Sequence, residues 1–191
     1  LSRVEGIPIE ALAEGVPWSW HSFDEYLTEV EARGTTVNFG AMVGHSALRR
    51  TVLGARSGDA QLRDGELAAM QTLLRDALEA GALGFSSSWA ATHIDAEGDP
   101  VPSRAASADE IVALCSVLAG HADTQVEFIP TNGPFEPHHV ELLTAMALAA
   151  ESPRLIDRAE AFYQAGVVNL RRDDYGEAAA LFEQARAIYE A

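Results

Sequence analysis

Apolar residues recur at helical spacing in several separate stretches of the chain, and short continuous apolar runs lie between them. Ser22 and Glu25 form an S-x-x-E pair ahead of Phe23, Tyr26, Leu27 and Val30, and Gly34 follows, which predicts a capped helix of about three turns with a glycine stop. Val37 to Val43 then reads V-N-F-G-A-M-V, a predicted buried strand ending at Gly44-His45. A second helix is predicted from Asp64, as its cap, through the stripe Leu67, Met70, Leu74 and Leu78 to Gly81. Leu83-Gly84-Phe85-Ser86 follows as a short strand, and a polar loop bearing Gly and Pro runs from Ser87 to Ala106. Loops of that length inside a compact domain are uncommon and tend to be functional. Ser107 and Glu110 repeat the capping pair before an apolar face of Ile111, Leu114, Cys115 and Leu118, with Gly120 closing the helix. Gln125 to Ile129 is the third predicted strand, stopped by Pro130, and a fourth helix starts near Pro137 with Val140, Leu143, Met146 and Ala147 turned inward.

Strands beginning near 37, 83 and 125 with helices between them imply parallel pairing through right-handed crossovers, since a hairpin could not contain those helices. Continuous apolar strands fit a sheet covered by helices. An eight-stranded barrel takes about 250 residues, so the expected fold of residues 1–150 is α/β: a partial TIM-like (β/α) barrel of about three parallel strands with flanking helices. Composition changes at Glu151-Ser152-Pro153, which reads as a boundary. Over 151–191 a new pattern of Ala159, Phe162, Ala165, Gly166, Tyr175, Ala178, Phe182, Ala185 and Ile188 resembles one tetratricopeptide repeat, an αα-hairpin, with Asn169 standing where that family usually has an aromatic. One repeat cannot bury both its faces, so it is expected to pack on the first segment or on another chain.

Charge and composition narrow the functional classes. The chain is 48% hydrophobic and 22% charged, the balance of a folding sequence. A formal net charge of −16 opposes phosphate backbones and anionic headgroups, so neither a nucleic acid nor a membrane is expected as a partner. All 13 basic residues are Arg, which excludes Schiff-base, carbamylated and phosphate-loop lysines from this polypeptide. Cys115 is the only cysteine, and no signal-like start or 18-residue apolar run occurs, so a cytoplasmic setting is expected. The chain opens at Leu1, not Met, and is expected to be a piece of something longer.

Candidate chemistry gathers at the C-terminal ends of the predicted strands, where parallel α/β folds place their ligands. His45 stands after the first strand, Ser86, Ser87, Ser88 and Trp89 after the second, and Thr131-Asn132 after the third, while Glu127 lies within the third strand and could point into a barrel interior. Two roles are open for His45: contact with substrate or a metal-bound oxygen, or a satisfied buried histidine at a turn where Ser46 caps a helix. Gly84-Phe85-Ser86-Ser87-Ser88 lacks the second Gly of a nucleophile elbow, so these serines read as hydrogen-bonding groups. His93 with Asp95, Glu97 and Asp99 forms either a contact site or a solvated acidic loop, and Arg104 either a clamp for a carboxylate or a surface ion pair. His138 and His139 are adjacent and lack the i,i+4 spacing of helical zinc ligands. Trp18 and Trp20 read as packing residues.

The stretch Gly40-Ala41-Met42-Val43-Gly44-His45-Ser46-Ala47-Leu48-Arg49-Arg50 resembles the G-x-x-V-G-H-S-x-L-R segment of the N-acyl-D-amino-acid deacylase (D-aminoacylase) branch of the metal-dependent amidohydrolases. The resemblance continues through Glu66–Met70, Ala77–Ser86 and Val101-Pro102-Ser103-Arg104, in order and spacing, over roughly residues 1–150. It implies a TIM-like barrel hydrolase in which metal, usually zinc, activates water against the amide of a small N-acyl amino acid. His45, Ser86, Ser87 and Arg104 are the residues expected to bind that substrate. The family's H-x-H pair and G-N-C-G-like turn have no counterpart, Cys115 falls on a helix face, and Glu127 lies near where relatives carry a later ligand His. The expected function is therefore that of an internal amidohydrolase fragment which neither holds zinc stably nor hydrolyses substrate alone. A non-enzymatic interaction module using the repeat-like hairpin, or a fusion product without a dedicated function, are the alternatives. Strand edges left open by an incomplete ring, together with the hairpin, predict self-association or a protein partner.

Overall fold

The computed structural model describes residues 7–150 and 175–189. In chain order the elements are α1 (Ile9–Gly15), α2 (Phe23–Arg33), β1 (Val43–Gly44), α3 (His45–Leu53), α4 (Glu66–Glu79), β2 (Gly84–Ser88), α5 (Ala108–Cys115), β3 (Gln125–Ile129), α6 (Pro137–Ala149) and α7 (Tyr175–Tyr189). Short 3-10 turns at Gly54–Arg56, Pro102–Ala105 and Ser116–Leu118 extend α3, interrupt the long loop and extend α5. The strands form one parallel sheet in the order β1-β2-β3, with Val43 opposite Phe85 and a five-residue register from Gly84 opposite Gln125 to Ser88 opposite Ile129. A mixed, parallel α/β segment is what the helix–strand alternation requires.

Side-chain alternation gives the sheet two unlike faces. Val43, Phe85, Val126 and Phe128 look toward the helices and pack with Leu48 and Leu53 of α3, Met70, Leu74, Ala77 and Leu78 of α4, Ile111, Leu114 and Cys115 of α5, and Leu142 and Met146 of α6. The other face carries Gly44, Ser86, Ser88, Gln125, Glu127 and Ile129. Glu127 lies on that face as the sequence implies, and it is exposed.

Several local expectations are corrected. The first strand is not a buried run over Val37–Val43. Regular pairing covers Val43–Gly44 alone, preceded by one bond from Leu83 N–H to Ala41 O (2.9 Å), while Val37 is 73% and Phe39 50% exposed. Its neighbour β2 begins only at Gly84, so residues 37–40 have no strand to pair with on that side. Asp64 does not cap α4. Gly65 occupies the cap position with φ +85°, and the carboxylate of Glu66 accepts Arg63 N–H (2.7 Å) and pairs with Arg56. In α6 the buried stripe is His139, Leu142 and Met146, continued by Ala150 at the C-cap, with Val140, Leu143 and Ala147 only half-buried. The capping hydroxyls behave as expected: Ser22 accepts Glu25 N–H and Ser107 accepts Glu110 N–H, each at 3.1 Å.

The first helix of the repeat-like hairpin (Ala159 to Gly166) and the boundary at Ser152-Pro153 lie outside the described residues. The stretch beginning at Tyr175 is helical as α7, with Leu181 buried. Among the described residues no helix is long and apolar enough to cross a membrane.

Gly84 sets the spacing of β2 and β3. Its φ is +147°, and a Cβ there would lie 1.8 Å from Gln125 O and 2.8 Å from Gln125 N. Gly84→Ala is expected to destabilise the fold by at least about 2 kcal/mol, through a strained φ and a backbone overlap that no side-chain rotation relieves. Urea unfolding of the variant checks this, and an unchanged midpoint would show that β3 is not held so closely.

Candidate functional site

Helix α3 starts immediately after β1, with Gly44 as its cap residue and no intervening loop, so His45 is held at the C-terminal end of the strand. Its ring turns to the helix side of the sheet and lies 5.4 Å from the Phe85 ring. Nδ1 is 2.8 Å from the Ser87 hydroxyl and Nε2 is 2.8 Å from Glu110 Oε1. One helical turn on, Arg49 Nη1 donates to both Glu110 oxygens (2.7 and 2.6 Å), Nε donates to Ser57 O (2.9 Å), and Nη2 donates to Asp59 O. Arg49, His45 and Glu110 are 0%, 1% and 3% exposed.

Protonation states follow from this geometry. Burial holds the His45 imidazole below its ordinary pKa, reinforced by the Arg49 charge and opposed by Glu110. Burial alone would raise the Glu110 carboxyl, but hydrogen bonds from His45 and Arg49 outweigh it and hold the carboxyl below the usual range. The site at neutral pH is therefore an ionised Arg49–Glu110 pair with a neutral imidazole. In that state His45 Nε2–H donates to Glu110, and Nδ1 accepts the Ser87 O–H.

The polar loop after β2 is clamped over this corner. Ser103 N–H donates to Ser46 Oγ (3.0 Å) and Ser103 O–H donates to Ser88 O (2.9 Å), which ties the loop to the start of α3 and the end of β2 at once. Asp95 Oδ1 accepts the N–H groups of Glu97 and Asp99, and Ile94 bridges Pro100, so the acidic stretch is organised as a turn. Asn132, after β3, accepts Ala91 N–H and donates to Thr92 Oγ1.

The structure thus brings His45 and Ser87 together and separates them from the other predicted site residues. Ser86 projects from the opposite face of β2, toward Gly44 and Glu127. Arg104 lies half-buried in the 3-10 turn next to Ser103, and among the described residues its guanidinium has no carboxylate partner. Both ring nitrogens of His45 are taken, so the imidazole braces the corner and offers no lone pair outward. Sequence reasoning missed Arg49 and Glu110. The signal was a His and an Arg four residues apart at a helix start, on the same face and otherwise flanked by apolar positions.

Among the described residues no three His, Cys, Asp or Glu side chains are grouped to hold a metal ion. The Cys115 thiol is buried in the core and its pKa is pushed up to about 12, far from thiolate. His139 Nδ1 accepts Glu136 N–H (2.9 Å) as part of the α6 cap, and burial, with the neighbouring His138 charge, lowers its pKa.

No family model matches the chain. The D-aminoacylase of Alcaligenes xylosoxydans xylosoxydans is 32% identical over 114 residues, covering 60% of this chain and 21% of that enzyme. The N-acyl-D-aspartate deacylase of the same organism is 33% identical over 115 residues, with the same coverage of 60% and 21%. An uncharacterized protein of Mycobacterium tuberculosis is 43% identical over 112 residues, 54% of this chain and 18% of that one. The chain spans about a fifth of the length of these curated relatives. Among solved structures, a crystal structure of D-aminoacylase superposes with a TM-score of 0.53 at 29% identity, covering 80% of this chain and 30% of that one. A D-aminoacylase studied for its binuclear metal centre gives the same values of 0.53, 29%, 80% and 30%. Over part of its length the chain is therefore related, at modest identity, to the D-aminoacylases.

The buried network makes a stability prediction. Glu110→Gln leaves the Arg49 charge without its counter-ion and is expected to cost about 3–5 kcal/mol, whereas Arg49→Met with Glu110→Leu together should recover much of that. His45 and Glu110 both have native pKa values below their unfolded ones of 6.5 and 4.5, so the unfolded chain binds more protons as pH falls. Their contribution is complete above about pH 6.5 and is lost on acidification, first through His45 and then through Glu110. Urea unfolding between pH 7 and 4 should show falling stability, with a flatter acid limb for Glu110→Gln; a pH-independent midpoint would contradict the network.

Proposed function

We propose that this chain forms part of the wall of an amidohydrolase barrel acting on the amide bond of N-acyl-D-amino acids, and that by itself it does not hydrolyse them. The observation that carries this is the superposition of 80% of the chain on D-aminoacylase structures, joined to a three-stranded parallel sheet. The complete enzymes of this kind would supply a metal-activated water. The donor set described above does not fit such a metal, so no step of the reaction is assigned to this chain.

What remains for these residues is recognition and positioning. Arg104, a guanidinium without a carboxylate partner among the described residues, would receive the carboxylate of the substrate by two parallel N–H bonds. Ser86, half-buried on the open face of β2, would hydrogen-bond the polar part of the acyl amino acid from the interior side. His45 and Ser87 would act at one remove: their bond fixes the twist of β2 where Ser86 projects from the other face. The anchored Ser103 would hold the Arg104 backbone in place.

Two measurements test this reading. The purified chain, supplied with zinc, should release no D-amino acid from N-acetyl-D-glutamate above the uncatalysed background; turnover would overturn the proposed inactivity. The chain should still bind N-acetyl-D-glutamate weakly by NMR titration, and Arg104→Gln should weaken binding at least tenfold, the loss expected for a charged hydrogen bond of about 1.5–3 kcal/mol. Equal binding by the variant would remove Arg104 from the site.

A further inference from the structure

An imidazole closes the first turn of α6. In the capping box at its start the Glu136 carboxylate accepts the backbone N–H of His139, and His139 Nδ1 accepts the Glu136 N–H (2.9 Å). Glu or Gln ordinarily fills the His139 position, because a side-chain oxygen accepts that bond at neutral and mildly acid pH alike. A histidine accepts it only while Nδ1 carries no proton, and a charged imidazole donates from both nitrogens. The His139 ring is buried, 5.1 Å from the Phe135 ring and 3.9 Å from the His138 ring. Two ionisable groups act on it, both in its own turn: Glu136 favours the cation and His138 opposes it. His138 Nδ1 in turn lies 3.5 Å from Glu136 Oε2. The helix against which α6 packs, α5, carries Asp109, which is exposed, Glu110, which is held by His45 and Arg49, and the neutral Cys115 thiol. Glu127 of β3 is on the opposite sheet face.

We propose that His139 is a proton-operated catch, which when neutral closes α6 and holds segment 130–136 at the strand ends, and when charged releases both. That segment reaches the ligand side of the sheet. Within it Asn132 accepts Ala91 N–H (3.0 Å) and donates to Thr92 Oγ1 (3.1 Å), and just before it Ile129 O accepts Trp89 N–H (2.8 Å). The loops after β2 and β3 are thus laced together, so freeing one loosens the other. Leu142 and Met146 keep the body of α6 in the core, which confines the release to its first turn and the residues before it. The His139 pKa lies below its ordinary 6.5, so the catch is fully closed above that pH and opens as pH falls through the lowered value. This local release differs from acid weakening of the His45–Glu110 network, which loosens the core as a whole.

Amide hydrogen exchange of the full chain, followed by NMR together with the imidazole resonances from about pH 7.5 to about pH 4.5, tests this. As the His139 ring titrates, protection at the Glu136 and Ala91 amides should fall about fivefold relative to the Leu74 amide in the core, the factor that a cap of about 1 kcal/mol supplies. His139→Gln keeps an acceptor that does not titrate and should retain that relative protection. His138→Gln removes the neighbouring charge and should move the His139 titration and the loss of protection together to higher pH. Circular dichroism confirms that each variant is folded; should His139→Gln not fold, the joint movement of the two midpoints in His138→Gln decides. A ring that titrates without change at Glu136, a loss at Glu136 that leaves Ala91 unmoved, a loss that persists in folded His139→Gln, or midpoints that separate in His138→Gln would each overturn the proposal.

Discussion

One ionic contact organises the described α/β segment. Arg49 and Glu110 meet in the core where α3 and α5 approach the end of β2, and with His45 and Ser87 they satisfy one another's polar atoms away from water. Removing two charges from water costs several kcal/mol per ion, and the site offsets this with multiple charge-assisted bonds and backbone acceptors at Ser57 and Asp59. The bonds between side chains join segments distant in sequence, from 45 to 87, from 45 to 110 and from 49 to 110. The network therefore selects one relative placement of β1, β2, α3 and α5, which apolar packing alone would specify less sharply.

Much of this architecture is legible from patterning. The apolar stripe of Met70, Leu74 and Leu78 lies on the buried side of α4, and Gln125–Ile129 is a strand with the boundaries its sequence indicates. Ser107 caps α5 as the S-x-x-E spacing requires, yet Glu110, which that motif would send back toward the cap, turns inward to Arg49. Local rules could not foresee this, because a partner 61 residues away outweighs a nearby N–H. The V-N-F-G-A-M-V run misled for a related reason: its composition favours a strand, but strand formation needs a neighbour, and β2 reaches only its last residues.

Placement of the candidate site was readable in part. Strand ends do gather His45, the serines and Asn132, but alternation along β2 sends Ser86 and Ser87 to opposite faces, one toward the open side and one into the core. A one-residue difference in sequence thus separates a side chain on the open face from one bonded to His45 in the core. The loop bearing Arg104 is positioned by two hydrogen bonds of Ser103, which no short motif announces.

The row Gly44, Ser86, Glu127 crosses the open face in register. Barrel interiors are ordinarily filled by layers of bulky branched residues. This row brings a hydrogen atom, a hydroxymethyl group and a carboxylate, so a cylinder completed around it would be hollow at that level unless the remaining staves supplied large side chains of their own.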